Sequence, residues 1–293
     1  MHNASQYRKY CFRAAGSRMP ALAFAQSFWA LTARDMSIEA SLEHACEAGF
    51  RYLEVGLREE RLEKTAALLK SFPLQLIAQG WVATSDEAEI FFDRASQFDA
   101  AAINLHLGHA YMTTEEACAL IAEVEKRAAV WRIPMLVETH RGRLTQDLFR
   151  TAEVLREMPD IAITLDISHY IVAGETLGGS EKLFRKHLDL LLARTAMIHG
   201  RISNGQSIQV HSADSFAITS TIQSVWSRAM ELWLRDAPSD AVLIFEPELG
   251  PPPYAYLDQQ QMETFSRADE TDVLVRLARQ AWKTAHERSK STA

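Results

Sequence analysis

Short apolar runs and longer amphipathic segments alternate along most of the chain. Eight runs have the composition of buried strands, at residues 22–31, 51–56, 74–81, 101–108, 133–140, 161–170, 195–202 and 241–249. Eight further segments place apolar residues three and four positions apart, which predicts helices over 37–48, 59–71, 85–97, 114–131, 145–157, 181–193, 218–235 and 269–287. Thr114 and Ser85 are each followed by two acidic residues, a pattern typical of helix starts.

Eight strands that alternate with eight helices predict parallel βα units, and eight such units close a barrel. We therefore expect an α/β protein with a single (β/α)8 TIM barrel over residues 20–293, preceded by a polar N-terminal tail over residues 1–19. A doubly wound open sheet is the structural alternative. That fold often has a glycine-rich first turn, whereas the first strand here leads into "TARDMSIEAS", which contains no glycine. The long loops at 203–217 and 248–261 are expected at the active face of the barrel.

Composition narrows the classes of partner. The chain has 293 residues, of which 47% are hydrophobic and 24% charged, with a formal net charge of -7. This acidic balance disfavours nucleic acid as the main partner, and no apolar run reaches the length of a membrane span. Cys11, Cys46 and Cys118 are far apart and have no metal-ligand spacing, which suits a reducing compartment. We expect a cytoplasmic protein.

Ionisable residues gather where the predicted strands end. They are Glu54, His106, Glu138, His140, Asp166, His169, His199, Arg201, Glu246 and Glu248. One strand-end glutamate or histidine usually has a structural role, but four consecutive strands here deliver such groups at equivalent positions. Carboxylates with an imidazole suit one divalent ion (Mn²⁺, Mg²⁺, Co²⁺ or Zn²⁺), which would polarise a carbonyl and stabilise an enediolate.

The motifs "VETHRGR", "LDISHY", "IHGRI" and "EPELGPPPY" resemble those of the xylose isomerase-like barrels, the sugar phosphate isomerase/epimerase superfamily, over residues 22–285. The resemblance implies that Glu138, Asp166, His199 and an eighth-strand glutamate bind the metal. It also implies that Glu138 and the eighth-strand glutamate form the acid/base pair. The candidate substrate contacts are His169, Arg201, His140, His106 and Trp29.

The eighth-strand glutamate is ambiguous in the sequence. Glu246 and Glu248 are two residues apart and point the same way at different depths. Family members ending in "E-P-aromatic" favour Glu246, whereas "PELGPPPY" looks more like the relatives that favour Glu248. We favour Glu248 as ligand and keep both residues as catalytic candidates.

The implied activity is that of a metal-dependent isomerase or epimerase acting on an unphosphorylated keto sugar or polyol, and relatives often form homo-oligomers. A dehydratase or lyase that acts on a keto sugar is the alternative. Endonuclease IV shares the barrel, but the sequence lacks a histidine at the third strand end and has Gln209 where that enzyme's Asp-x-His begins. A non-catalytic binding barrel would be expected to lack ligands, and here the ligand set is complete. Trp81 and Tyr254 are further aromatic candidates for the pocket wall.

Overall fold

The computed structural model describes residues 9–14, 16–31, 37–58, 61–174 and 181–291. Eight parallel strands form a barrel, and one short strand precedes them. In chain order the strands are β1 (Phe12–Arg13), β2 (Ala21–Ser27), β3 (Tyr52–Gly56), β4 (Gln75–Val82), β5 (Ala102–Leu107), β6 (Met135–Glu138), β7 (Ile163–Asp166), β8 (Thr195–Gly200) and β9 (Ala241–Pro247).

Helices surround the barrel and connect its strands. They are α1 (Phe28–Leu31), α2 (Ile38–Glu47), α3 (Leu62–Leu69), α4 (Ser85–Ser96), α5 (Thr114–Trp131), α6 (Leu148–Glu157), α7 (Ile167–Gly174), α8 (Glu181–Leu192), α9 (Phe216–Leu234) and α10 (Arg267–Ser291). Side-chain caps fix several starts, and α5 begins with a reciprocal capping box between Thr113 and Glu116. In the described ranges, no helix combines the length and apolar character needed to cross a membrane.

The barrel is closed because β9 pairs in parallel with both β8 and β2. The register places Phe24 beside Phe245 at one seam and His199 beside Glu246 at the other. The (β/α)8 barrel predicted from the alternation of strands and helices is therefore confirmed.

Apolar side chains pack in two layers. One layer lies between the strands and the helices and includes Leu53, Val55 and Phe245. The other is a smaller cluster on the opposite strand faces, which includes Tyr52, Ile77, Leu136, Met197 and Ile244. Because successive side chains of a strand point to opposite faces, this second cluster fills the lower part of the barrel interior.

Residues before the barrel also contribute to its packing. Phe12–Arg13 pair antiparallel with the start of β9, and Phe12 is buried with its ring 5.4 Å from that of Tyr52. Tyr10 is buried too, and its hydroxyl donates to the Trp233 carbonyl oxygen at 3.0 Å. The sequence did not predict this strand, because a two-residue run carries no periodic signal.

The predicted and observed ends of a strand differ most at β7. The sequence predicts a strand over 161–170, but β7 ends at Asp166 and α7 begins at Ile167. The Ser168 amide donates to Asp166 Oδ1 at 2.9 Å, a side-chain cap that favours a helical turn over further strand. The predicted first strand is shortened in the same way, since α1 begins at Phe28. His169 therefore belongs to the first turn of a helix and not to a strand end.

Candidate active site

The inward-facing positions of the strands change from apolar to ionisable along the barrel. In β3 the series passes from Tyr52 to Glu54, and in β6 from Leu136 to Glu138. In β8 the same two-residue spacing leads from Met197 to His199 and Arg201. In β9 it leads from Ile244 to Glu246 and Glu248. The apolar members close the bottom of the barrel, so the ionisable members form one polar cluster at the carboxyl ends of the strands.

His199 lies at the centre of this cluster. Its Nδ1 is 3.2 Å from Glu248 Oε2 and 3.6 Å from Glu138 Oε2. Its Nε2 is 3.5 Å from Glu54 Oε2 and 4.0 Å from Glu246 Oε2. All five side chains are largely or fully buried, and neither His199 nitrogen has a partner in hydrogen-bond geometry. Four carboxyl groups thus converge on an imidazole without satisfying it.

Arg201 links two predicted metal ligands. Its Nη2 donates to Asp166 Oδ2 at 2.6 Å, its Nε donates to the same oxygen at 3.1 Å, and Nη2 also donates to Glu248 Oε2. The side chain is 1% exposed. Burial opposes the charge of Arg201, but Asp166 and Glu248 more than compensate and raise its pKa. The contacts of Arg201 with Asp166 and Glu248 are therefore buried, charge-assisted hydrogen bonds.

Three imidazoles line the other side of Glu138. His106 Nε2 lies 2.9 Å from Glu138 Oε2, and the rings of His106 and His140 have centroids 4.4 Å apart. The His140 and His169 centroids are 3.9 Å apart, and His169 Nε2 lies 3.4 Å from Asp166 Oδ2. His140 Nδ1 lies 2.5 Å from the Arg141 carbonyl oxygen, so this nitrogen carries the hydrogen and Nε2 keeps its lone pair.

The cluster separates groups that hold a proton from groups that do not. Burial favours the neutral form of Glu138, but His106 and His199 lower its pKa well below the usual value. For Glu246, burial and the neighbouring Glu54 raise the pKa well above the usual value. Burial and His106 lower the pKa of His140 to about 4, so this ring is neutral at pH 7. Glu138 is thus anionic and His140 neutral, and Glu246 holds a proton more readily than an ordinary carboxyl group.

The two histidines nearest Glu138 behave differently from His140. Burial alone would lower the pKa of His199, but Glu54, Glu248 and Glu138 raise it well above the usual value. The pKa of His106 is raised for the same reason, because Glu138 outweighs burial. In the protein without a metal ion, protons on these two rings therefore offset part of the negative charge.

Four groups of side chains bring ligand atoms within 4.8 Å of one another and could hold a metal ion. They are Glu138–His199–Glu248, Glu138–Asp166–His169, Glu54–His199–Glu246 and His106–Glu138–His140. Every residue of the predicted ligand set (Glu138, Asp166, His199 and Glu248) belongs to the first two groups, which share Glu138. Glu248 reaches Glu138, whereas Glu246 lies with Glu54 and His199.

Two observations indicate that these residues fit a divalent ion. The cluster holds five carboxyl groups, those of Glu54, Glu138, Asp166, Glu246 and Glu248. Among the described residues a single guanidinium group, that of Arg201, pairs with them directly. Several buried atoms also have no hydrogen-bond partner, namely Glu138 Oε1 and both ring nitrogens of His169 and His199. Burying unpaired charge and unpaired polar atoms is costly, and coordination to a cation would relieve both costs.

Sequence reasoning missed Asn104 as a site residue. Its buried amide donates to Glu138 Oε2 at 2.7 Å and to Glu54 Oε2 at 3.1 Å, so it fixes two carboxylates at once. Two carboxylate acceptors also settle which end of the amide is the nitrogen. Asn104 lies two residues before His106 on the same strand face, and this spacing could have identified it from the sequence.

Trp29 lies at the rim of the cluster. Its ring meets that of Tyr254 edge-on, with centroids 5.0 Å apart. A Cβ on Gly250 would lie 2.1 Å from Trp29 Cη2, so the indole occupies the space that only a glycine leaves free. Gln209 donates to the Gly250 carbonyl oxygen at 3.1 Å and accepts from its amide at 2.8 Å, which holds this strand-end loop in place. Trp29 is therefore packed between Tyr254 and Gly250.

Two large cavities lined by described residues lie away from the polar cluster. One of about 790 Å³ opens at the amino-terminal ends of the strands, beside Arg51, Tyr52 and Trp282. Another of about 650 Å³ lies between α3 and α4. Neither is lined by members of the polar cluster, so the chemistry and not the cavity volume identifies the candidate site.

The comparisons with known proteins give the fold. No family model matches the sequence, and no curated protein does. A xylose isomerase domain protein from Alicyclobacillus acidocaldarius superposes with TM-score 0.58 at 15% identity, covering 91% of this chain and 100% of that chain. A xylose isomerase-like TIM barrel protein from Mycobacterium smegmatis, solved in complex with magnesium, gives TM-score 0.54 at 10% identity, with 92% and 99% covered.

A third solved structure is the probable 3-DHS dehydratase AsbF from Bacillus anthracis. It gives TM-score 0.53 at 16% identity and covers 87% of this chain and 99% of that chain. At these identities the likeness establishes the barrel fold alone. The reaction has to be argued from the site itself.

Proposed function

We propose that the protein is a divalent-metal-dependent isomerase or epimerase that acts on a keto sugar or polyol. The observation that carries the proposal is the buried convergence of Glu138, Glu248 and His199 without hydrogen bonds to satisfy the imidazole. Glu138, Asp166, His199 and Glu248 would hold one Mn²⁺, Mg²⁺, Co²⁺ or Zn²⁺ ion. When bound, such an ion supplies Lewis-acid polarisation of a carbonyl group.

The carboxylates of the chain would move the proton. Glu138 is anionic, and Asn104 fixes its position, so it is suited to accept a proton from the carbon beside a carbonyl. Glu248 reaches His199 at the same level and, as a carboxylic acid, would give a proton of its own to the opposite face of that carbon, which leaves Glu138 protonated and Glu248 as the carboxylate. Glu246 Oε2 lies 4.0 Å from His199 Nε2, and burial and the neighbouring Glu54 raise the pKa of Glu246, so it stays the second candidate for the acid of the pair.

The remaining polar groups would bind substrate oxygens. Arg201 offers an unpaired Nη1, and His169 has two unpaired ring nitrogens. His106 and His140 lie beside Glu138 and can contact the same substrate carbons, while Trp29 and Tyr254 would cover a sugar ring or chain from the rim. These contacts would orient the substrate against Glu138.

The test is proton exchange in deuterated water. Metal-supplemented protein is incubated with ketoses, keto sugars and inositol-type compounds, and deuterium at carbon is read by NMR or mass spectrometry. We expect exchange with at least one compound, and loss of that exchange in Glu138→Gln. If no compound exchanges in any metal, or if Glu138→Gln exchanges at the wild-type rate, the isomerase proposal fails.

A dehydratase is the second candidate, and His140 is the observation that favours it. This neutral ring keeps a free lone pair beside Glu138, so it would take the proton beside the carbonyl and then, as an imidazolium, give it to the departing hydroxide, which leaves as water. Elimination would generate a conjugated carbonyl that absorbs in the ultraviolet, whereas epimerisation would not. A new ultraviolet band that requires both metal and His140 would decide for the dehydratase.

A further inference from the structure

Arg141 and Arg143, in the loop after β6, face aromatic rings, and neither forms an ion pair with the part of the chain that the structure describes. The Arg141 guanidinium carbon lies 5.7 Å from the Tyr254 ring centroid, and that of Arg143 lies 4.5 Å from the Trp81 centroid. Among the described residues, no carboxylate lies within ion-pair distance of either one. Many other arginines of the chain do have such partners, among them Arg13, Arg94, Arg127, Arg201, Arg228, Arg235 and Arg267.

The loop that carries the two arginines is held in shape. The Arg143 amide donates to the His140 carbonyl oxygen at 3.2 Å, and the Gly142 amide donates to Gln146 Oε1 at 3.2 Å. Gly142 has φ +79°, a conformation that side chains rarely adopt, so the turn depends on glycine here. The Trp81 indole N–H donates to the Gly108 carbonyl oxygen at 3.1 Å, which fixes the ring beneath Arg143. Both guanidinium groups therefore have defined supports.

A third guanidinium group lies over the same ring as that of Arg141. Arg201 lies 5.2 Å from the Tyr254 centroid, so this one ring has two arginines within about 6 Å. Buried donor atoms remain unpaired on two of the three, namely Arg201 Nη1 and Arg143 Nε. These three guanidinium groups lie over Tyr254 and Trp81, and two of them keep a buried donor without a partner among the described residues, which leaves room for an oxyanion from outside the chain.

We infer that the substrate is a keto sugar acid whose carboxylate is bound by Arg141 and Arg143. The inference rests on the proposed function, because it places the carbonyl end of the substrate at Glu138 and the acid end at the rim. Planar guanidinium groups stacked on rings match a planar carboxylate bidentately. A phosphate ester shares this chemistry, but the sequence has neither a glycine-rich loop nor a lysine cluster for phosphate.

The experiment compares three probes with one carbon skeleton, glucitol, gluconate and glucitol 6-phosphate, by calorimetry on the metal-loaded full chain. We expect gluconate to bind roughly ten- to a hundred-fold more tightly than glucitol, the range for charge-assisted hydrogen bonds. The double variant Arg141→Met/Arg143→Met should lose this preference while its glucitol affinity stays within about twofold. Arg51→Met removes the same charge at the opposite end of the barrel and should leave all three affinities unchanged.

Several results would overturn the inference. They are equal binding of gluconate and glucitol, no binding of any probe, or a gluconate preference that survives in the double variant, which would place the carboxylate on the metal. Tighter binding of the phosphate, lost in the double variant, would replace the sugar acid by a phosphate ester. Exchange of neutral ketoses in deuterated water, together with equal binding of gluconate and glucitol, would keep the proposed function and refute only the acid. An arginine-dependent gluconate preference without exchange of any sugar acid would keep the carboxylate site and refute the proposed function.

Discussion

Asn104 offers a direct test of how the cluster is organised, because one amide group holds two carboxylates. In Asn104→Leu the donor is removed while most of the volume is kept, and Asn104→Ala removes both. A hydrogen bond to a charged group contributes about 1.5–3 kcal/mol. Loss of the bond to Glu138 should cost this whole amount. Loss of the bond to Glu54 should cost less, because burial raises the pKa of Glu54 and the carboxyl group can take up a proton when its donor is removed. We expect each variant to lose about 2–4 kcal/mol of unfolding free energy.

Urea denaturation in the presence of a chelator measures this loss. A matched control is Gln97→Ala, since the Gln97 amide also donates to a carboxylate, that of Asp93 at 3.1 Å, but on the exposed surface of α4. The control should change stability by less than about 0.5 kcal/mol. Titration with Mn²⁺ should show affinity about 10- to 100-fold weaker in Asn104→Leu, because Glu138 loses its orienting partner. Losses in Asn104→Leu no larger than in the control, with unchanged Mn²⁺ affinity, would refute this reasoning.

Three further predictions concern charge and packing. Although burial favours the neutral ring, the carboxylates raise the pKa of His199, so the stabilisation from its proton is complete below about pH 6.5 and is lost as pH rises through the raised pKa. A metal ion must displace that proton, so calorimetric metal affinity should rise with pH, about tenfold per unit, and a pH-independent affinity would contradict this. Arg201→Met leaves Asp166 and Glu248 buried without their partner and should cost about 3–5 kcal/mol in chemical denaturation, partly recovered by Mn²⁺; an equal loss with and without Mn²⁺ would argue against a cation at this place. Gly250→Ala forces its methyl into an indole ring and should cost about 1–3 kcal/mol in thermal unfolding, and an unchanged melting temperature would mean that the ring yields freely.

The barrel and the inner half of the site follow from sequence spacing. Alternation with period two fixes which residues of a strand face inward, and parallel strands bring their carboxyl ends to one place, so Glu138, His199 and Glu248 meet as predicted. The choice between Glu246 and Glu248 depends on backbone shape after β9. There the Glu248 amide donates to the Gly200 carbonyl oxygen at 3.1 Å and extends the chain toward Glu138. Spacing alone does not contain that information.

Other features depend on contacts between distant parts of the chain. A strand was predicted through His169, but the cap at Asp166 starts a helix, because a local hydrogen bond outweighs the β-branched composition. The pairing of Arg201 with Asp166 joins residues 35 positions apart, and β1 joins Phe12 to Val242. Neither leaves a periodic trace in the sequence.

The central claim, that Glu138 and His199 hold a divalent ion, is tested most directly by counting metal. Protein loaded with Mn²⁺ or Zn²⁺ and then dialysed is analysed by mass spectrometry beside Glu138→Gln, His199→Ala and the exposed control His44→Ala. We expect about one ion per chain in the wild type and in His44→Ala, and almost none in the two site variants. A wild type without metal, or site variants that keep as much metal as the wild type, would contradict it.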